Sequence, residues 1–149
     1  MERRIAAHRA QRPADWDTLE EPVDLIGALP AALAGYDTCL LDCLTLWVSN
    51  LLLSNEGSLD VQRDILATSD ELIDVYEHSS STWIIVSNEV GLGVVPTSSL
   101  GAAYRDALGR VNQVIAARAD KVYFMVAGLA LDLKNLGAVP HTSAELRLT

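Results

Sequence analysis

The sequence predicts an α/β protein built on a mostly parallel sheet, and three observations carry that prediction. TWIIVS (82–87) is a short, β-branched run with no polar alternation, the pattern of a strand covered on both faces. Two stretches, 60–78 and 100–115, repeat apolar residues at helical spacing. Strand and helix signals alternate along the chain, as they do where helices flank parallel strands.

Taken in order, Glu2–Ala10 reads as a short helix that ends before Pro13, because the residue ahead of a proline disfavours the helical region. Residues 15–37 hold a further helical stretch punctuated by Pro22, Pro30 and Gly35. DTCLLDCLTLWVSNLLL follows: Thr38–Leu41 is a buried strand delivering Asp42 at its carboxyl end, and Leu44–Leu53 is helical in composition. Asn55–Ser58 is a loop. Val61, Ile65, Leu72, Ile73 and Tyr76 place one amphipathic helix between Asp60 and His78, closed by Ser79, Ser80 and Ser81. After TWIIVS and the loop carrying Pro96, the residues Leu100, Tyr104, Leu108, Val111 and Ile115 trace another. KVYFMVAG is a third strand and LALDL a fourth, leaving residues 135–149 as a loose polar tail behind a domain spanning 1–134. There is no internal repeat and no low-complexity segment.

With 149 residues, half of them apolar and 21% charged, the chain has the bulk of one soluble domain. A net charge of −9 argues against nucleic acid or an anionic membrane as the main partner. No apolar run reaches the ~18 residues of a membrane span, and no apolar region follows the N-terminal arginines as in a secretory signal. The expected location is the cytoplasm. Cys39 and Cys43, alone in an apolar segment, make neither a disulfide scaffold nor a zinc site and read as small buried thiols.

Against the acidic background, four of the eleven basic residues, Arg3, Arg4, Arg9 and Arg12, surround His8. Such a cluster is either a solvated helix face or a place where phosphate meets an imidazole. A neutral imidazole attacks phosphorus competently, and Arg9 and Arg12 could neutralise charge on the phosphoryl oxygens. In parallel sheets ligands bind beyond the carboxyl ends of the strands. Asp42 falls there, in the pattern of a Walker B carboxylate. So does SNEVGLGVVP, in which Asn88 and Glu89 are polar groups at a strand end and Gly91 and Gly93 permit a sharp turn or a close approach. Each has a plain alternative: a strand that happens to end in Asp, and a structural connection. Trp47 and Trp83 lie in apolar segments and read as core; Trp16 lies in the histidine-containing stretch and is open to either role.

Five segments together resemble the bifunctional adenosylcobinamide kinase/adenosylcobinamide-phosphate guanylyltransferase family of cobalamin biosynthesis. They are RIAAHRAQRPADWDTLE, LLDCLTLWVSNLL, VSNEVGLGVVP, YRDALGRVNQVIA and VYFMVAGLALDLK, in the family's order and reaching about Lys134. The resemblance implies a P-loop, RecA-like nucleotide-binding sandwich. It implies phosphorylation of adenosylcobinamide by a nucleoside triphosphate, ATP or GTP with Mg2+. Transfer of GMP from GTP to adenosylcobinamide phosphate would follow, through a GMP–histidine intermediate. On the motif H-R-x-x-R-P-x-x-W, the nucleophile falls on His8, and Arg9, Ala10, Gln11 and Arg12 fall on positions that contact the guanine nucleotide. Glu20 and Asp42 match further nucleotide-binding positions, Asp42 being an aspartate where glutamate is usual. The resemblance also implies a homo-oligomer, without nucleic acid or a membrane span.

One feature of the family has no counterpart in these 149 residues. A phosphate loop of the G-G-x-R-S-G-K-S kind is missing, since the only lysines, Lys121 and Lys134, precede Val122 and Asn135. The expectation is a chain lacking the N-terminal strand and Walker A of a typical member, roughly 35 to 40 residues. Backbone N–H groups and a lysine for the β- and γ-phosphates would go with them. The alternative reading is a catalytically inactive remnant that binds nucleotide or corrinoid as a partner subunit.

Overall fold

The computed structural model describes residues 12–55 and 60–140. Among the described residues, four helices, two short sheets and a 3-10 turn follow one another. Helix α1 (Leu25–Ala32) leads to strand β1 (Thr38–Asp42), α2 (Leu44–Ser54) and α3 (Val61–His78). Strand β2 (Thr82–Val86), the 3-10 turn Val90–Leu92, α4 (Ser99–Arg118), β3 (Tyr123–Val126) and β4 (Leu129–Asp132) complete the order. None of the described helices is long and apolar enough to cross a membrane. The expected helix over Glu2–Ala10 lies outside the described residues.

Strands β1 and β2 are parallel, in a register that sets Thr38 beside Thr82 and Asp42 beside Val86. Parallel strands need a crossover, and here α2 and α3 supply it. Inward-facing Cys39, Leu41, Trp83 and Ile85 pack on the helices. The core itself is mostly helical: Leu44, Trp47, Val48, Leu51 and Leu52 from α2 meet Ile65, Leu72 and Ile73 from α3. Ala107, Leu108, Val111 and Ile115 from α4 join them, with Leu25 and Leu29 from α1. Ser69, buried in that seam, satisfies its hydroxyl on the Ile65 carbonyl one turn back, at 2.7 Å.

Helices α2 and α3 match the sequence reading to within a residue, and α4 runs three residues past Ile115, but the sheet differs from expectation. TWIIVS is covered on one face only: burial alternates along β2, and Ile84 is 53% exposed among the described residues. Its all-apolar composition concealed this alternation. KVYFMVAG and LALDL do not extend the parallel sheet but pair with each other as an antiparallel hairpin, Tyr123 opposite Asp132 and Val126 opposite Leu129. The two residues between them, Ala127 and Gly128, both take positive φ (51° and 76°), the turn chemistry of a tight hairpin. Finally, the two thiols are half-buried rather than buried, and burial pushes the Cys39 thiol above its ordinary value. Pro30, which the sequence offered as punctuation, lies inside α1.

Replacing a side chain at the centre of the seam tests this arrangement. Leu72→Ala removes a fully buried leucine and is expected to cost about 2–5 kcal/mol of unfolding free energy. Leu53→Ala, on the exposed side of α2, is expected to change stability by about 0.5 kcal/mol or less in the same denaturant titration.

Candidate functional site

Among the described residues, polar side chains gather on the irregular segment before α1 and at the carboxyl ends of the parallel strands. In the first, the Arg12 guanidinium donates to the Thr18 hydroxyl at 2.8 Å, closing a short loop. Inside that loop the Trp16 amide donates to the Pro13 carbonyl at 3.2 Å. The Tyr36 hydroxyl donates to the Asp17 carboxylate, tying the loop to the chain ahead of β1; that bond pushes the Tyr36 phenol above its ordinary value. The result is an open depression of about 420 Å³ lined by Arg12, Pro13, Ala14, Trp16, Thr18 and Glu20.

The segment is anchored at its other end as well. The Trp47 indole N–H reaches the Val23 carbonyl and the Asn50 amide reaches the Pro22 carbonyl, each at 3.0 Å, so α2 holds the approach to α1. Glu21 accepts from the amides of Val23 (2.9 Å) and Asp24 (2.8 Å). The Val23 bond first and the Asp24 bond second hold its carboxyl below the ordinary 4.5. Asp24 in turn caps α1 by accepting from the Gly27 amide at 3.0 Å.

The second place lies where ligands meet open parallel sheets. Asp42 ends β1 with its side chain exposed. The hydroxyl of Thr45, in the first turn of α2, accepts from both the backbone and side-chain amides of Asn88, at 3.2 and 2.9 Å. Asn112 on α4 donates to the Asn88 carbonyl at 3.0 Å and accepts from the Ser87 hydroxyl at 2.6 Å. Tyr104 donates to the Thr45 carbonyl at 3.2 Å, and burial pushes its phenol up. Glu89 turns back to cap the 3-10 turn through the Gly91 amide at 3.0 Å. Helices α2 and α4 thus clamp the loop after β2, and Asn88 and Glu89 have local structural work there.

Of the residues singled out in the sequence, Arg12 and Glu20 meet on one depression. Asp42 stands at the strand end and is not part of that lining. His8, Arg9, Ala10 and Gln11 lie outside the described residues. Thr45, Ser87, Tyr104 and Asn112 escaped sequence reasoning. Their bonds join residues 24 to 59 positions apart, and no local spacing signals such a partnership. Among the described residues no cluster of three or more His, Cys, Asp or Glu is placed to hold a metal ion.

Comparison with known proteins agrees with the motifs. Residues 1–133 match the family model described as cobinamide kinase / cobinamide phosphate guanyltransferase. The chain is 45% identical over 136 residues to a bifunctional adenosylcobalamin biosynthesis protein, CobP, of Pseudomonas aeruginosa, covering 91% of this chain and 75% of that one. It is 37% identical over 142 residues to the corresponding CobU protein of Salmonella typhimurium (90% of this chain, 78% of that one). With the CobU protein of Escherichia coli the identity is 35% over the same length, with the same coverage.

Two measurements check the clamps. Thr45→Val keeps the shape but removes the acceptor of both Asn88 bonds, and should cost about 1 kcal/mol. It should also speed amide exchange at Asn88; unchanged protection there would show that the clamp does not hold the loop. The Glu21 bonds contribute stability that is fully present above the ordinary carboxylate value of 4.5, and that is lost as pH falls through the lowered folded value. Glu21→Gln should therefore flatten the loss of stability below pH 4.5. Parallel acid titrations of the two proteins would leave that account without support.

Proposed function

The chain belongs to the cobinamide kinase / cobinamide phosphate guanyltransferase family, and on that premise we propose that it carries the guanylyl-transfer half of cobalamin assembly through His8. Its relatives are bifunctional adenosylcobalamin biosynthesis proteins. The reaction is a double displacement. The His8 imidazole attacks the α-phosphorus of GTP; an N–P bond forms, the P–O bond to pyrophosphate breaks, and pyrophosphate leaves. The phosphate of adenosylcobinamide phosphate then attacks the same phosphorus, displacing the imidazole and giving adenosylcobinamide-GDP. Most of the rate enhancement comes from positioning and charge neutralisation.

The observation that carries this reading is the meeting of Arg12 and Glu20 on one depression. Both come from the stretch that follows His8, and both sit at positions the family resemblance marks for nucleotide. The guanidinium is oriented by Thr18, so its remaining donors are presented in a fixed direction for phosphate oxygens. Arg9, Ala10 and Gln11 belong to the same motif. Mg2+ arriving with GTP or ATP needs only one or two carboxylates besides phosphate oxygens. The exposed Asp42 is a hard oxygen donor of that kind, and a bound Mg2+ would supply charge neutralisation at the phosphates. A homo-oligomeric enzyme working on adenosylcobinamide is the assembly we infer from the family.

One observation favours a second reading. The sequence holds no Walker A motif, so phosphorylation of adenosylcobinamide by this stretch alone is not expected, and a binding remnant without catalysis is the alternative. Labelling with GTP radioactive at its α-phosphate separates the two. Guanylyl transfer predicts an acid-labile protein label that His8→Ala abolishes and Arg12→Ala slows roughly 100-fold. A label of equal strength in His8→Ala would remove His8 as nucleophile. Retained GTP binding with no label in the parent protein would establish the remnant instead.

A further inference from the structure

The three tryptophans occupy different environments. Trp47 is 3% exposed, its indole N–H spent on the Val23 carbonyl. Trp83 is half-buried, donates to the Ser79 hydroxyl at 2.7 Å, and tilts against Tyr76 with ring centroids 6.2 Å apart. Trp47 belongs to the core and Trp83 packs against it. Trp16 is 53% exposed and forms part of the wall of the Arg12–Glu20 depression.

We propose that the Trp16 indole is the stacking platform for the purine base of the nucleotide, a role that rests on reading this depression as the nucleotide site. Nothing in the core requires the ring, because its segment is irregular and exposed from Arg12 to Glu20. Yet the backbone that presents it is held on both sides. The Trp16 amide donates to the Pro13 carbonyl, the Arg12–Thr18 bond closes the loop around it, and the neighbouring Asp17 is bound by Tyr36. A ring presented by a fixed backbone loses little freedom when a ligand stacks on it. The wall combines an indole, a guanidinium and the Glu20 carboxylate, a set that suits a base joined to a phosphate. The two fused rings of a purine match those of an indole in extent, whereas a corrin macrocycle is several times wider than one indole.

Calorimetric titration of the full chain with GTP tests the proposal, using Trp16→Ala, Trp16→Phe and Arg12→Ala. Trp16→Ala should weaken GTP binding roughly 10-fold or more, while Trp16→Phe, which keeps a flat ring, should stay within about threefold. GTP should quench tryptophan emission in the parent protein and leave emission of Trp16→Phe unchanged, since Trp47 lies in the core and Trp83 packs against it. The substituted position is exposed, so far-ultraviolet circular dichroism should not change. If Arg12→Ala weakens binding but Trp16→Ala does not, the stacking role is overturned and the nucleotide reading stands. If neither variant alters GTP affinity, or the parent protein binds no GTP, both are overturned. Loss of cobinamide binding but not of GTP binding in Trp16→Ala would make the ring a corrin contact and defeat the proposal.

Discussion

One apolar seam between α2, α3 and α4 determines where everything else in this protein can lie. Val48, Leu72, Leu108 and Val111 are fully buried within it. Each such side chain contributes about 1.5–3 kcal/mol on removal from water, so the relative placement of these helices is not easily altered. Because α2 and α3 form the crossover between β1 and β2, packing them against α4 also sets the direction in which both strands end. Asp42 and the loop after β2 come to one end of the sheet through that packing together with the parallel pairing that sets Asp42 beside Val86.

The polar contacts then work on a frame already set. Thr45 stands in the first turn of α2 because Leu44, Trp47 and Val48 point inward, and from there it can accept both Asn88 bonds. Asn112 sits one residue past Val111 on α4 and meets the other side of the same loop. Neutral hydrogen bonds of this kind add little net stability each. Their effect is directional: they give a glycine-containing loop one conformation beside the strand end where Asp42 is exposed. The same logic holds at the other place. Trp47 is a core residue whose indole N–H grips Val23, so the segment bearing Arg12, Trp16 and Glu20 inherits its anchorage from the core.

The chemistry proposed for the chain uses this division of labour. A phosphoryl group needs fixed positive charge, and a base needs a flat surface; both demands fall on residues from 12 to 20, a stretch too polar to build a core of its own. Its loop is closed by its own side chains, Arg12 to Thr18, and moored by Tyr36 and α2. An irregular segment held in this way can carry exposed functional groups without the entropy cost of ordering them on each binding event.

The sequence by itself determined helices α2, α3 and α4, the position of Asp42 at a strand end, and the family. Periodic burial of Ile65, Leu72 and Ile73, or of Leu108, Val111 and Ile115, leaves a trace that residues a few positions apart can show. Motif spacing around His8, Arg12, Glu20 and Asp42 does the same for candidate chemistry. Tertiary structure alone decided that Ile84 faces outward, since an all-apolar strand does not say which face is covered. It alone paired β3 with β4 instead of extending the parallel sheet, and it alone joined Thr45 to Asn88 and Ser87 to Asn112. Those partnerships form only after the chain has folded back on itself. A hydrogen bond between residues 43 positions apart depends on where two helices pack, and packing is a property of the whole chain rather than of any stretch of it.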